Sequence, residues 1–247
     1  MYKFETFAEL YQAILTELAN NTSYSQPRGE LIKEMQNVYF ELTDPAYCIF
    51  DNQTRSTNLD YLEAELDWYF SGDRRASAIS AEASLWDKIK NQDGTVNSNY
   101  GFLVFYDENI FKQTQFGWAY QCLLDDKDTR QAIIHFNNST HQFKGVKDFP
   151  CTMYGIYSIR DDTLNLTMHM RSLDVIFGLP YDIVFFYHLL VLMYHRLHKV
   201  YPELKLGKLC QFTNSMHLYK RHFNLVNEML KYDFEPVMFE LKDINSF

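Results

Sequence analysis

Two residues of the chain have side chains suited to covalent and acid–base chemistry. Cys151 follows Pro150 at the start of a predicted strand, and a cysteine close to a positive charge can act as a nucleophilic thiolate. The alternative is a small buried apolar side chain. Glu65 falls between Leu62 and Leu66 on the apolar stripe of a predicted helix. Burial would raise its pKa and suit it to proton transfer, whereas a salt-bridged structural glutamate is the alternative.

Basic and hydroxyl side chains offer a second kind of chemistry, the binding of phosphate. Arg171-Ser172 ends a predicted strand. A guanidinium fork can hold two phosphate oxygens while the neighbouring hydroxyl holds a third. Further polar candidates are Arg28, Arg130, His217 and Tyr219. Each of these residues, taken alone, is more often an ordinary surface or boundary residue.

The elements that must position these side chains follow from apolar spacing and turn residues. Helices are predicted over Phe4–Leu18, Leu59–Tyr69 (with Asn58 as its cap and Gly72 as its end), Tyr181–His198 and His217–Leu230. Strands are predicted over Met35–Leu42, Phe102–Tyr106, Ala132–Phe136, Thr152–Ile159, Leu164–Met170 and Leu209–Asn214. Helices mixed with mostly hairpin-connected strands predict a single α+β domain over residues 1–247.

Composition narrows the class of protein. The chain has 23 basic and 32 acidic residues, a net charge of −9, which argues against nucleic-acid binding and a polybasic membrane anchor. The four cysteines form no C-x-x-C pair and no zinc-type spacing, so neither a disulfide scaffold nor a metal site is expected. The most apolar stretch, Ile183–Tyr194, is shorter than the ~20 residues that span a bilayer. We therefore expect a cytoplasmic protein.

Read in order, the candidate residues fall into blocks that resemble the active-site signatures of thymidylate synthases. The blocks are Glu65-Leu-Asp-Trp68-Tyr-Phe70, Leu85-Trp86-Asp87, Asn97-Ser-Asn-Tyr100-Gly101, Arg130 to Asn137, Phe149-Pro150-Cys151, Arg171 to Asp182, and His217-Leu-Tyr219. The resemblance runs from about Arg28 to His222. It implies the thymidylate-synthase-like fold, a mixed β-sheet packed with helices, and a homodimer formed through the sheet.

Within this superfamily the chain is most similar to the phage-type deoxycytidylate hydroxymethylases. The chain is short, its Asn97–Gly101 block matches that branch, and Thr152 follows the cysteine where synthases usually carry histidine. Asp182 stands where synthases that use dUMP carry asparagine. An aspartate can accept a hydrogen bond from N4 of cytosine and share a proton with N3, whereas an asparagine amide matches the reversed pattern of uracil. The alternative for Asp182 is a surface substitution without a role.

The resemblance also implies a role for each site residue. Cys151 adds to C6 of a pyrimidine deoxynucleotide monophosphate, and 5,10-methylenetetrahydrofolate serves as the carbon donor. Glu65 relays protons and orients water, while Tyr100 and ordered water are candidates for removing the C5 proton. The implied phosphate ligands are Arg28, Arg171, Ser172 and an Arg130 donated across the dimer interface. The base is contacted by Asp182, and the sugar by His217 and Tyr219. The folate is contacted by Trp86, Asp174, Gly178 and Glu65. The family's tandem arginine pair reads Arg130-Gln131 here, so one phosphate contact is missing.

Three functions stay open at this point. Water addition would give 5-hydroxymethyl-dCMP, whereas hydride addition would make the protein a dCMP or dUMP C5-methyltransferase. A catalytically silent relative that binds nucleotides or RNA is the third. The set of Cys151, Glu65, Tyr100 and Arg171 favours an enzyme, and the acidic charge disfavours RNA.

Overall fold

The computed structural model describes residues 2–241. The chain forms two compact units. The first unit combines Met1–Thr57 with Ile159–Phe247, and the second unit is Asn58–Ser158. Both units contain helices and strands, so the predicted α+β class is confirmed. The assignment of residues 1–247 to one domain stays a prediction.

The strands and helices are numbered along the chain. The strands are β1 (Tyr2–Phe4), β2 (Tyr24–Ser25), β3 (Ile32–Leu42), β4 (Ile49–Asp51), β5 (Ile133–His135), β6 (Thr152–Arg160), β7 (Thr163–Met170), β8 (Leu173–Asp174), β9 (Lys205–Tyr219) and β10 (Glu235–Val237). The α-helices are α1 (Phe7–Asn20), α2 (Leu59–Ser71), α3 (Leu85–Ile89), α4 (Tyr100–Phe105), α5 (Gln115–Asp125), α6 (Leu179–His198) and α7 (Phe223–Met229).

The sheet of the first unit is built around the long strand β9. β3 pairs with it antiparallel from Ile32 opposite Tyr219 to Leu42 opposite Leu209. β7 and β8 pair with β9 in parallel, and β1 pairs in parallel with β3. The register of β8 sets Asp174 opposite His217, so the sheet brings two predicted site residues together.

Helix α6 supplies much of the core of the first unit. It is apolar nearly all round and buries most of its residues, as the sequence predicts, and it begins two residues earlier than predicted, at Leu179. Pro180 suits this start because proline is tolerated in the first turn of a helix. None of the helices within residues 2–241 combines the length and the apolar composition that a membrane span requires.

The second unit contains the predicted helix α2 with both of its predicted ends. The Asn58 side chain accepts a hydrogen bond from the backbone N–H of Tyr61, and Gly72 ends the helix with φ 69°, a conformation that glycine adopts without strain. Strand β5 pairs antiparallel with β6, with Ile133 opposite Ile156. Cys151 directly precedes β6.

Two predicted elements are wrong. The apolar run Phe102–Tyr106, predicted as a strand, lies mostly in helix α4, because the Asn99 side chain accepts the N–H of Phe102 at 2.7 Å and caps a helix. The segment His217–Leu230, predicted as one helix, begins instead as the last three residues of β9. Their backbone pairs with β3, and α7 begins only at Phe223, after a short 3₁₀ turn.

Candidate active site

Cys151 differs from the other cysteines in its exposure. It is partly exposed, whereas Cys48, Cys122 and Cys210 are buried. Burial raises the pKa of each of those three thiols, which keeps them protonated and unreactive near neutral pH. The alternative of a small buried apolar side chain therefore describes those three residues, and Cys151 is the more accessible thiol.

The Tyr100 hydroxyl lies beside Thr152, the residue that follows Cys151. It accepts a hydrogen bond from the backbone N–H of Thr152 at 3.3 Å. The Tyr100 ring is buried, stacks on Tyr69 with centroids 5.7 Å apart, and meets Phe136 edge-on at 5.2 Å. These contacts place a phenol next to Cys151, where it can take part in proton transfer.

Gly101 allows α4 to approach α2 closely. A Cβ atom at this position would lie 2.0 Å from the backbone oxygen of Tyr69, so no larger residue fits without a shift of the backbone. The helix that carries Tyr100 is thereby packed directly against the helix that carries Glu65.

Glu65 is 7% exposed and receives a 2.5 Å hydrogen bond from the Tyr61 hydroxyl. Burial raises the pKa of its carboxyl from 4.5 to about 7, and the bond from Tyr61 opposes that rise. Within residues 2–241, no lysine or arginine pairs with this carboxylate, so the salt-bridge alternative is not what the structure describes. A carboxyl with a pKa near 7 can both give and take a proton near neutrality.

Trp86 and Arg130 are the other predicted residues of the second unit. Trp86 is partly exposed on α3, and its ring meets Trp68 at 4.9 Å and 62°. Its accessible aromatic surface suits stacking against a flat heterocycle. Arg130 is exposed between α5 and β5, which leaves its guanidinium available at the surface.

In the first unit, Asp182 lies in the first turn of α6. Its backbone N–H bonds to the carbonyl of Gly178 at 2.9 Å, and the amino end of the helix favours a negative charge there. A Cβ atom at Gly178 would lie 3.3 Å from Oδ2 of Asp182 and 2.9 Å from the backbone oxygen of Asp174. A larger residue at position 178 would therefore crowd the Asp182 carboxyl and the backbone of Asp174. Asp182 is only partly exposed.

His217 and Tyr219 share one face of β9, two residues apart. Their rings meet edge to face at 5.1 Å. Burial lowers the pKa of His217, while Asp174 in the neighbouring strand opposes this, so a neutral imidazole is favoured. A neutral imidazole next to a phenol offers a hydrogen-bond donor and an acceptor, which is what a hydroxyl ligand requires.

The remaining predicted phosphate ligands lie at turns of the first unit. Arg171 and Ser172 are partly exposed and occupy the short link between β7 and β8. Arg28 is exposed in a 3₁₀ turn, with φ 53°. It precedes β3, whose residue Ile32 lies opposite Tyr219.

Sequence reasoning missed two residues that form hydrogen bonds with the predicted site, Tyr61 with Glu65 and Asp148 with the segment before Tyr100. Tyr61 lies one turn before Glu65 on α2, so an i, i+4 search around a buried carboxylate would have found it. Asp148 is 4% exposed and binds the chain just before Tyr100. No local pattern indicates its role, because its partners lie about 50 residues away.

The thymidylate synthase family model matches residues 5–246. The chain belongs to the thymidylate synthase family. It is 31% identical over 181 residues to deoxycytidylate 5-hydroxymethyltransferase of Enterobacteria phage T6, covering 70% of this chain and 72% of that protein. It is 25% identical to deoxyuridylate hydroxymethyltransferase of Bacillus phage SP01 (85% of this chain, 56% of that protein). It is also 25% identical to thymidylate synthase of Fusobacterium nucleatum (66% and 57%).

Membership of this family makes the protein a one-carbon transferase, as the sequence predicts. Thymidylate synthase-type enzymes act on pyrimidine nucleoside monophosphates and use methylenetetrahydrofolate. In each unit a side chain has the chemistry that such a co-substrate requires. In the second unit, Trp86 offers a partly exposed aromatic surface. In the first unit, Asp174 is a partly exposed carboxylate with one oxygen held by the N–H of Ile176 at 2.8 Å. Within the described residues, no His, Cys, Asp and Glu cluster could hold a metal ion.

Proposed function

We propose that the protein is a dCMP hydroxymethylase, which uses 5,10-methylenetetrahydrofolate and water to convert dCMP into 5-hydroxymethyl-dCMP and tetrahydrofolate. Asp182 is the observation that carries the proposal. Its partly exposed carboxyl lies at the start of α6, next to Gly178, where any larger residue would crowd it. The likeness to the phage T6 enzyme supports the same reading.

The preference for cytosine follows from hydrogen-bond polarity. Cytosine presents an N4 donor and an N3 acceptor, so a carboxylate that accepts from N4 and shares a proton with N3 matches both atoms. Uracil presents O4 and N3–H, and a carboxylate facing O4 leaves two acceptors in contact. A binding site that leaves buried polar groups unmatched rejects the wrong base strongly. A proton shared with N3 also withdraws electrons from the ring and assists attack at C6.

Cys151 opens the reaction in this proposal. Its thiolate adds to C6 of the base, which makes C5 nucleophilic. The folate, when bound, would supply C5 with one carbon at the oxidation level of formaldehyde and, once the C5 proton is removed, would leave as tetrahydrofolate, so that an exocyclic C=C bond forms at C5. The Tyr100 hydroxyl, with water, takes the proton from C5. Glu65 orients the water that adds to the new exocyclic carbon and relays its proton, after which Cys151 leaves C6.

The other residues hold the substrates. Arg171 and Ser172 bind the 5′-phosphate with Arg28, and a homodimer would add Arg130 of the partner subunit. His217 and Tyr219 bind the 3′-hydroxyl of the deoxyribose. Trp86, Asp174, Gly178 and Glu65 contact the folate. The glutamine at position 131 removes one positive charge that the family's arginine pair would bring.

A second candidate, C5 methylation or hydroxymethylation of dUMP, is supported by the likeness to the SP01 and Fusobacterium enzymes. One assay separates the candidates. The purified protein is incubated with methylenetetrahydrofolate and either dCMP or dUMP, and the nucleotide product is identified by mass. Hydroxymethyl-dCMP with tetrahydrofolate is the expected result. A methylated nucleotide with dihydrofolate would contradict it, because hydride donation oxidises the folate. Turnover of dUMP alone would contradict the role of Asp182.

A further inference from the structure

We infer that Asp148 is a positioning residue, which sets the place of the Tyr100 hydroxyl relative to the segment that carries Cys151. The inference rests on the proposed function, because it uses the roles given above to Tyr100 and Cys151. All of the contacts involved lie within the second unit.

The hydrogen bonds to the Asp148 carboxylate come from one short segment of chain, residues 97–98. Its Oδ2 atom accepts the backbone N–H groups of Asn97 at 2.6 Å and Ser98 at 2.7 Å. Its Oδ1 atom accepts the hydroxyl of Ser98. In return, the Asn97 side-chain amide donates to the backbone oxygen of Asp148 at 2.7 Å. Two residues therefore share four hydrogen bonds with one aspartate.

The position of these bonds along the chain gives them a functional meaning. Asp148 lies three residues before Cys151, and Ser98 lies two residues before Tyr100. The Tyr100 hydroxyl in turn accepts the N–H of Thr152. Hydrogen bonds therefore join residues 97–100 to residues 148–152 at two places, through Asp148 and through the Tyr100 hydroxyl. Cys151 lies between these two places in the sequence.

Asn99, between Ser98 and Tyr100, is held by several hydrogen bonds, which restrict the movement of this segment. Asn99 caps α4 through the N–H of Phe102 and also donates to the backbone oxygens of Trp68 and Asp73, at 3.3 and 3.0 Å. Any movement of residues 97–98 would consequently be passed to the start of α4, where Tyr100 lies.

A carboxylate suits this position because all of its partners are donors. At 4% exposure, a carboxylate without partners would be costly, whereas one that accepts several N–H and O–H groups is stabilised. An asparagine could keep both backbone contacts through one oxygen, and its amide N–H could donate to the Ser98 hydroxyl. An alanine would leave two backbone N–H groups without this acceptor.

The test compares Asp148→Ala and Asp148→Asn with the unchanged full-length protein, using dCMP and [5-²H]dCMP as substrates. Loss of the Tyr100 position should slow removal of the C5 proton without affecting nucleotide binding. For Asp148→Ala we expect kcat to fall by on the order of 10²-fold, KM for dCMP to change only a few-fold, and the deuterium effect on kcat to increase. Asp148→Asn should recover most of the lost kcat. A loss confined to KM, or an unchanged isotope effect, would overturn the inference.

A double-mutant cycle with Tyr100→Phe tests whether Asp148 acts through Tyr100. In the Tyr100→Phe background, Asp148→Ala should cost little further activity, and additive losses would overturn the inference. Should Asp148→Ala fail to fold, Ser98→Ala takes its place, since it removes the hydroxyl that donates to Oδ1, and Asp148→Asn remains the conservative control. An isotope effect unchanged in Ser98→Ala would then overturn the inference. If the protein proves to act on dUMP, the proposed function fails separately, and the same variants are assayed with [5-²H]dUMP.

Discussion

The hydroxyl of Tyr61 donates a 2.5 Å hydrogen bond to Oε1 of Glu65, one turn further along α2. Burial raises the pKa of the Glu65 carboxyl to about 7, and this bond limits the rise because it stabilises the charged form. Tyr61 thus adjusts the pKa of the proposed catalytic acid without being an ionised neighbour. Mutation of Tyr61 should therefore change the pKa of Glu65 and, with it, the pH dependence of activity.

Tyr61→Phe should raise the pKa of Glu65 above about 7. If turnover requires protonated Glu65, the alkaline limb of the pH–kcat profile should move to higher pH, and a steady-state profile with dCMP would measure the shift. Tyr106→Phe is the matched control, because the Tyr106 hydroxyl donates to the backbone oxygen of Phe70 and not to Glu65. If the alkaline limb of Tyr61→Phe lies at the same pH as that of the unchanged protein, the ionisation of Glu65 does not determine that limb.

Glu65→Gln should stabilise the protein at alkaline pH while abolishing turnover. The folded-state pKa of Glu65 is raised from 4.5 to about 7, so the folded state binds this proton more tightly than the unfolded state. The resulting stability is complete below pH 4.5 and is lost as the pH rises to about 7. Above pH 7 the variant should therefore unfold with up to roughly 3 kcal/mol more free energy than the unchanged protein.

Urea denaturation at pH 5 and pH 8 measures that difference. Asp67→Asn on the exposed side of α2 is the control for the loss of a carboxylate from the same helix. Equal effects of Glu65→Gln at both pH values would mean that Glu65 keeps an ordinary pKa in the folded state.

Asp182→Asn should reverse the base preference. The amide presents a donor where the carboxylate presents an acceptor, so it should favour uracil over cytosine. We expect the ratio of kcat/KM for dCMP to that for dUMP to fall by ~10²-fold or more. Competition between the two nucleotides, with products resolved by mass, measures this ratio. An unchanged ratio would assign base selection to other residues.

Cys151→Ser should abolish turnover and the covalent adduct with the nucleotide, because a hydroxyl is a far weaker nucleophile than a thiolate near neutral pH. Intact-protein mass spectrometry after incubation with 5-fluoro-dCMP and methylenetetrahydrofolate detects the adduct. Cys122→Ser is the control in the same unit, and since Cys122 is buried it should keep both the adduct and turnover. An adduct that persists in Cys151→Ser would place the nucleophile elsewhere.

Gly101→Ala should destabilise the protein by about 3 kcal/mol, because the new Cβ atom would overlap the Tyr69 carbonyl and force α4 away from α2. Thermal or urea unfolding measures the loss. Gly117→Ala in α5 is the comparison. Its Cβ would meet only side-chain atoms, Oγ1 of Thr114 at 3.1 Å and Cγ of Gln113 at 3.9 Å, and alanine favours a helix. Equal losses at both positions would contradict the close approach at Gly101.

The sequence predicts the elements whose ends have their own local signals. Asn58 and Gly72 mark α2, and the apolar surface of α6 is continuous over the length of that helix. The run Phe102–Tyr106 is different, because five apolar residues suit a buried strand and a buried helix equally. Asn99 decides between them through one hydrogen bond to Phe102. Similarly, the end of β9 depends on pairing with β3, which no local pattern contains.

For the site, residue types and family blocks predict which side chains react but not what holds them. Cys151 and Glu65 are candidates from their positions in the sequence, whereas Tyr100 is named by the family resemblance alone. Asp148 and Tyr61 act through hydrogen bonds, and those contacts depend on the folded backbone. The buried state of Glu65, by contrast, follows directly from its position on the apolar stripe of α2.

The pairing of β3 with β9 also has a consequence for how the protein is made. Ile32 pairs with Tyr219, so β3 leaves the ribosome long before its main partner has been synthesised. At ordinary rates of translation the interval is ~10–40 s. During that time β3 has only the short strands β1 and β2 beside it, and its open edge can pair with other chains. The second unit, which is continuous in sequence, is synthesised in full before β9. Yield of active enzyme should therefore respond to the speed of synthesis and to chaperones that shield strand edges.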